Sequence, residues 1–304
     1  MGLIQKLFFN NAKITTFGIT RLAPGQVKEQ VSFKQGKHSI DVSRHQGMIC
    51  LDPFCVAVWL SQEDAKQVDT QTGTLHFTGN GKLNAKIKVS LIEKLPTEKG
   101  KLLLYKVGKV KNYQLNPLHR QVLFRYFLRS KKNTFHHRKV ISALYSYPRN
   151  IIIVSYKDNE YYNIFPMDIH SYIAEEKLYL LGLRTTNVAL NKILEAKKVV
   201  VCDTNEVGID TVYKLGKHPS ADPTRINEMP FTVSESEKFG FYVPDFTGSY
   251  KEIEITANRK MGYHMLMIGK VVNEKKLKPE SSPLYHVGFL QFRQSQYQNI
   301  EGLY

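Results

Sequence analysis

Cysteine and long apolar runs are what this sequence has little of. Three cysteines, Cys50, Cys55 and Cys202, form an odd, sparse set. Such a set excludes a disulfide-stapled scaffold and points to a reducing compartment. Cys50 and Cys55 with His45 match no common zinc spacing and are read as core cysteines. No apolar stretch nears the roughly 20 residues that a membrane helix requires. The opening "MGLIQKLFFNNAK" has too short an apolar part, and no small-residue cleavage site, to read as a secretory signal. No low-complexity tract and no Walker-type phosphate loop is present. The expectation is a cytoplasmic chain with no membrane partner, and 42% hydrophobic residues with 17 Tyr and 16 Phe suffice for a real core.

Acidic residues are missing from one region. Residues 101–150 carry twelve Lys+Arg and no Asp or Glu. Residues 1–150 hold 25 basic against 8 acidic side chains, net +17, whereas residues 151–304 hold 18 against 19, net −1. A break of this kind marks units with different jobs. Three segments are expected: a basic β-rich unit over 1–112, a basic connector helix within 113–139, and a second unit over 140–304.

In the first unit "LHFTGNGKLNAKIKV" reads as a hairpin around Gly79-Asn80-Gly81, where positive φ is cheap. "MICLDPFCVAVWL" is apolar throughout, interrupted by Pro53, and is expected to be buried on both faces. In the connector, Asn116 caps and Pro117 opens a helix with Leu118, Val122 and Tyr126 as its apolar stripe, widened by Leu123 and Phe127. Arg120, Arg125, Arg129, Lys131 and Lys132 are left for its surface. That face suits a nucleic acid or another acidic partner, or it is a solvated face that docks one unit on the other. The aromatics lie on the stripe and are not interleaved with the cations, which weighs against nucleic acid. His136 and His137, in the same tract, are read as solvated.

The second unit reads as six or seven strands with short helices between. "RNIIIVSYKDNEYYNIFPM" is two strands about a polar turn, "EKLYLLGLR" and "KVVVCDT" are two more, and "YKEIEITANRK", "HMLMIGKVV" and "LYHVGFLQFRQ" complete the set. In "HMLMIGKVV" both faces are apolar, with His264, Leu266 and Ile268 on one and Met265 and Met267 on the other. A small closed barrel fits, its outside covered by a helix or a second subunit. At "LYLLGLRTTNVALNKI" a strand ends in Arg184, and Thr185 or Thr186 caps a helix. A guanidinium, two hydroxyls and free helix N–H groups favour a phosphate, and a capped helix beside a surface arginine is the plain alternative.

"YPRNIIIVSYKDNEYYNIFPMDIHSY", "LGLRTTNVALNKI", "KLGKHPSADPTRI", "GYHMLMIGKVV" and "PLYHVGFLQF" follow the order and spacing of the flavin reductase-like family, the FMN-binding split barrels. The chain resembles that family over about residues 140–292. The resemblance implies a mainly β fold, a six-stranded antiparallel Greek-key split barrel, beside a smaller basic N-terminal unit. It also implies a homodimer with FMN near the subunit interface. Carried over residue by residue, Gly262, Tyr263 and His264 stand where the family has Gly-Asp-His beside the flavin and the nicotinamide. His264 is the catalytic candidate, and Tyr263 in place of the aspartate puts pyridine nucleotide use in question. Asn163, Pro166, Met167 and Asp168 match the strand end that faces the flavin ring, with Asp168 where a hydroxyl residue is usual. Arg184, Thr185, Thr186 and Asn187 match the phosphate turn, and Lys217, His218 and Ser220 a loop near the flavin.

The function implied is that of an FMN-binding oxidoreductase that takes electrons from NADH or NADPH. Hydride chemistry on a flavin asks the protein for orientation, a donor for developing charge and shielding. That fits a second unit in which neither a nucleophile–base pair nor a metal spacing is visible. The alternatives are an FMN binder without catalysis and a nucleic-acid or acidic-partner binder that works through the basic half. Tyr285 and His286 are read as packing the last strand.

Overall fold

The computed structural model describes residues 3–9, 14–23, 25–128, 134–279 and 282–298. Arg129, Lys131 and Lys132 of the basic tract lie outside the described residues. The fold is mainly β, with curled antiparallel sheets that form the expected split barrel.

The barrel sheet runs, in spatial order, Tyr162–Met167, Ile152–Lys157, Lys198–Asp203, Ser249–Met261, His264–Lys276, Leu178–Arg184, His170–Ile173. The N-terminal sheet runs His38–Asp41, Gln30–Gln35, Thr72–Gly79, Lys82–Pro96, Gly100–Asn112, Phe54–Ser61, Gln46–Leu51. Numbered by chain position within each sheet, both orders read second, first, fifth, sixth, seventh, fourth, third. All neighbours are antiparallel in both. In each, a helix follows the fourth strand, Gln62–Gln67 in one and Val188–Ala196 in the other. The N-terminal unit is thus a second sheet of the same topology.

Local chemistry explains the turns. Asn80 (φ 51°) and Gly81 (φ 71°) both sit in the left-handed region, as a two-residue hairpin turn requires. Pro53 turns "MICLDPFCVAVWL" into two paired strands, Gln46–Leu51 and Phe54–Ser61, whose side chains are buried almost throughout.

The alternation in "HMLMIGKVV" sorts two cores. Met267 and Val271 join the barrel interior with Ile153, Val199 and Ile253. Leu266 and Ile268 pack with Ile49, Cys55, Ala57, Trp59, Leu102 and Leu104. The cover expected from a helix or a second subunit therefore comes from the chain's own N-terminal sheet. Leu266 and Ile268, 0% and 5% exposed, each contribute about 1.5–3 kcal/mol through burial. Arg259–Glu93 (3.0 Å), Lys270–Glu98 (2.5 Å) and His45–Glu175 (3.0 Å) bridge the two sheets at its edges.

Three expectations are corrected. The connector is an α-helix Pro117–Val122, capped by Asn116 as expected, followed by a π-helical turn Leu123–Phe127 and a second helix Phe135–Leu144. The wide turn rotates the buried face onto Leu123 and Phe124, which leaves Leu118 and Tyr126 each 63% exposed. "LYHVGFLQFRQ" is a strand only over Leu284–Gly288, and Phe289–Ser295 is a helix. That strand lies outside the barrel, between Phe17–Arg21 and Arg149–Asn150, so the 1–112 segment is not self-contained.

Candidate functional site

The strand Leu178–Arg184 ends beside the start of its neighbour, with Arg184 opposite His264. The hairpin Ser249–Met261 to His264–Lys276 closes through Gly262-Tyr263. Gly262 has φ +65°, the conformation that glycine adopts without penalty. A Cβ there would meet Asp52 O at 2.3 Å and Pro53 Cδ at 2.5 Å. Glycine is needed twice, for the turn and for the close approach of the N-terminal unit. Tyr263 N donates to Asp52 O (2.9 Å), and Tyr263 O accepts from Thr185 N (3.0 Å).

Asn163, Pro166, Met167, Asp168, Arg184, Thr186, Asn187, His218, Ser220 and His264 meet around one cavity of about 350 Å³. Phe165, Ile169, Gly182 and Leu183 supply its apolar wall. Lys217 lines an adjoining space of about 220 Å³ with Tyr213 and His286. Three expected residues stay off the cavity wall. Thr185 is exposed and turned to Tyr263 O, the Tyr263 ring is 59% exposed, and Gly262 serves the turn.

Asn187, rather than Thr185 or Thr186, caps the helix Val188–Ala196. Its backbone is the last extended one, and its Oδ1 accepts from Ala189 N at 2.9 Å. Ser220 Oγ accepts from Val188 N at 3.2 Å. Two helix-end donors are therefore taken, and the cation at this rim is Arg184. Among the described residues no carboxylate pairs with it.

His264 is 2% exposed. Burial, with Arg184 nearby, lowers its pKa to about 4, so the ring is neutral at neutral pH. Its Nδ1 lies 3.5 Å from Cys50 Sγ, while Nε2 is buried without a partner. The Cys50 thiol also contacts Met261 O. The N-terminal unit therefore sets the orientation of this imidazole.

His218 is fixed by a traceable chain. Tyr161 OH donates to Ser220 O (2.7 Å) and accepts from Asn163 Nδ2 (2.8 Å). That settles the amide orientation, so Asn163 Oδ1 accepts from His218 Nε2–H at 2.8 Å. Burial lowers the His218 pKa. The neutral ring is left with a bare, buried Nδ1 that has no partner. Asn163 positions this histidine.

Asp168 faces both spaces but is held from behind. Its Oδ2 accepts from Tyr145 OH and from His286 Nδ1, both at 2.7 Å. Burial alone would raise its pKa, and these two bonds outweigh it and hold the carboxyl below its ordinary value. Tyr213 OH meets His286 Nε2 at 2.9 Å. Both bonds fall on Oδ2, which leaves Oδ1 for a donor in the cavity. His286, Tyr145, Cys50 and Asp52 are site-building residues that reading the sequence missed. Their partners lie 23 to 214 positions away, and a histidine in "PLYHVG" was the one visible signal.

Among the described residues no group of three His, Cys, Asp or Glu is placed to hold a metal. No described helix is long and apolar enough to cross a membrane. No protein-family model and no curated protein matches the chain. Solved structures similar to it include an NADH:FAD oxidoreductase of Streptomyces globisporus, at 11% identity over 57% of this chain and 96% of that one, TM-score 0.45. An FMN-binding protein of Thermus thermophilus with bound p-hydroxybenzaldehyde aligns at 17% identity over 43% and 73%, TM-score 0.39. A flavin reductase complexed with NADP+ aligns at 15% identity over 50% and 90%, TM-score 0.41.

Proposed function

We propose that the cavity binds FMN and that the protein is a flavin-dependent oxidoreductase with NADH or NADPH as electron donor. One observation carries the reading: a guanidinium without a carboxylate and two neutral imidazoles with unpartnered nitrogens surround the same cavity. Buried polar atoms left without partners call for a ligand that supplies them.

Arg184 and the Thr186 hydroxyl suit the phosphate, since a guanidinium binds such oxygens through charge-assisted bonds. The bare Nδ1 of His218 requires a donor, which a ribityl hydroxyl provides. His264 Nε2, buried without a partner, would offer the flavin a proton or a lone pair according to the tautomer set at Nδ1 by Cys50. Phe165, Ile169 and Leu183 keep water from the apolar side of the site. When bound, the flavin supplies the two-electron chemistry, and the protein supplies the orientation and donors described.

Titration of the apoprotein with FMN, followed by flavin fluorescence, tests the reading. Saturable binding at micromolar concentration supports it. Failure to bind FMN or FAD at that level overturns it.

A further inference from the structure

The shared topology gives every site position a counterpart. The two-residue turn between sixth and seventh strands is Gly262-Tyr263 in one sheet and Glu98-Lys99 in the other. The first residue after it is His264, opposite Arg184, or Gly100, opposite Ser61. Two positions back along the fourth strand stand Gly182 and Trp59.

The contacts across the interface are reciprocal as well. The turn between the third and fourth N-terminal strands holds Tyr263 N through Asp52 O at 2.9 Å. The corresponding turn of the barrel holds Lys99 N through Glu176 Oε1 at 2.8 Å. The third, fourth and seventh strands of both sheets fill the apolar cluster between them. Self-matching contact of this kind characterises an interface between two copies of one fold.

We infer that the N-terminal unit stands in the place of a second subunit, backing the open site of the barrel while its own counterpart site is sealed. The barrel residues line the open site, and the N-terminal unit backs it, because Cys50 contacts His264 and Asp52 holds Tyr263 N. At the counterpart, the place of Gly182, where a Cβ would meet Ile49 O at 2.5 Å, is taken by Trp59, which is 4% exposed. Its indole N–H lies 3.0 Å from Thr97 Oγ1 and 3.2 Å from Glu176 Oε1. Glu176, 5% exposed, also accepts from Thr97 OH at 2.6 Å. Ser61 brings no cation and its hydroxyl is bonded to Asp64, and Gly100 brings no imidazole. A carboxylate and an indole fill this place from within the protein, and the anion-binding groups are gone.

That the open site takes FMN rests on the proposal above, whereas the seal and the subunit role do not, so the test uses no flavin. Trp59 is the only tryptophan in the chain, which makes its emission a direct report on the sealed site. Acrylamide should quench it several-fold less in the folded protein than free tryptophan. Glu176→Gln, which keeps the shape but weakens the acceptor, should raise the quenching. Sedimentation equilibrium at micromolar concentration should give the mass of one chain, 35.0 kDa. Quenching in the wild type as strong as for free tryptophan overturns the seal. A stable two-chain mass overturns the subunit role. Both wild-type measurements stand even where the variant fails to fold.

Discussion

Gly262-Tyr263 and Glu98-Lys99 turn the same hairpin in two sheets of one topology, and they are built for different ends. Glu98 and Lys99 need no special backbone, and Glu98 is spent on an exposed ion pair with Lys270. Gly262 takes positive φ, presses on Asp52 and Pro53, and precedes a histidine buried in its neutral form. The N-terminal site position is occupied by an indole and a satisfied carboxylate. Among the described residues the barrel cavity keeps a guanidinium without a carboxylate and two ring nitrogens without partners. Topology supplies the place, and a few residues that forgo local stability make it a site.

The comparison breaks most sharply at the glycine. Gly262→Val combines a left-handed backbone with a Cβ clash against Asp52, and is expected to destabilise by about 2–4 kcal/mol. Glu98→Val at the equivalent position should leave Tm nearly unchanged. Thermal unfolding of both variants checks this, and equal losses would show that the two turns are under the same constraint.

Next in size is the cation. Arg184→Ala should weaken FMN by about 1.5–3 kcal/mol while affecting riboflavin far less, as loss of a charge-assisted bond to phosphate predicts. Its counterpart Ser61 caps a helix, so Ser61→Ala should leave FMN affinity unchanged. Equal losses for FMN and riboflavin would place Arg184 away from the phosphate.

The imidazole separates the sheets by pH. His264 has a folded pKa of about 4 against an ordinary 6.5, so the unfolded chain binds its proton first as pH falls. Stability contributed by the neutral ring is therefore present above pH 6.5 and is lost between 6.5 and 4. His264→Gln should flatten that fall by about 1–2 kcal/mol. Urea unfolding at several pH values reads the difference. An unchanged slope would show that the ring does not titrate in that window.

Much of this was legible in the sequence where local physics decides. Alternation in "HMLMIGKVV" separated the face of Leu266 and Ile268 from that of Met265 and Met267, and the structure packs them into different cores. Asn80-Gly81 and Asn116-Pro117 announced a hairpin and a helix start. Legibility ended where a distant partner decides. A π-helical turn moved the buried face off Leu118 and Tyr126. The helix Phe289–Ser295 was read as strand because packing overrides its apolar run. Asp168 was read toward the ligand because nothing local shows that Tyr145 and His286 hold it. The shared topology was hidden as well, since equivalent positions bear residues as unlike as Gly182 and Trp59.

The smallest effect on stability, and the most informative about chemistry, is expected at Tyr263. Its structural work is done by the backbone, through Asp52 O and Thr185 N, and its ring is largely exposed. Tyr263→Asp should therefore change stability by no more than about 0.5 kcal/mol. If the cavity takes FMN as proposed, this exposed ring, next in sequence to His264, is the candidate for covering the flavin against a nicotinamide. Removing it should speed anaerobic bleaching of bound FMN by NADH, read by stopped flow. Acceleration in the variant without loss of FMN affinity would assign the tyrosine a covering role. Equal rates in both proteins, at equal flavin occupancy, would mean that Tyr263 does not govern access, and the choice of electron donor would then rest with His264 and the space beside Lys217.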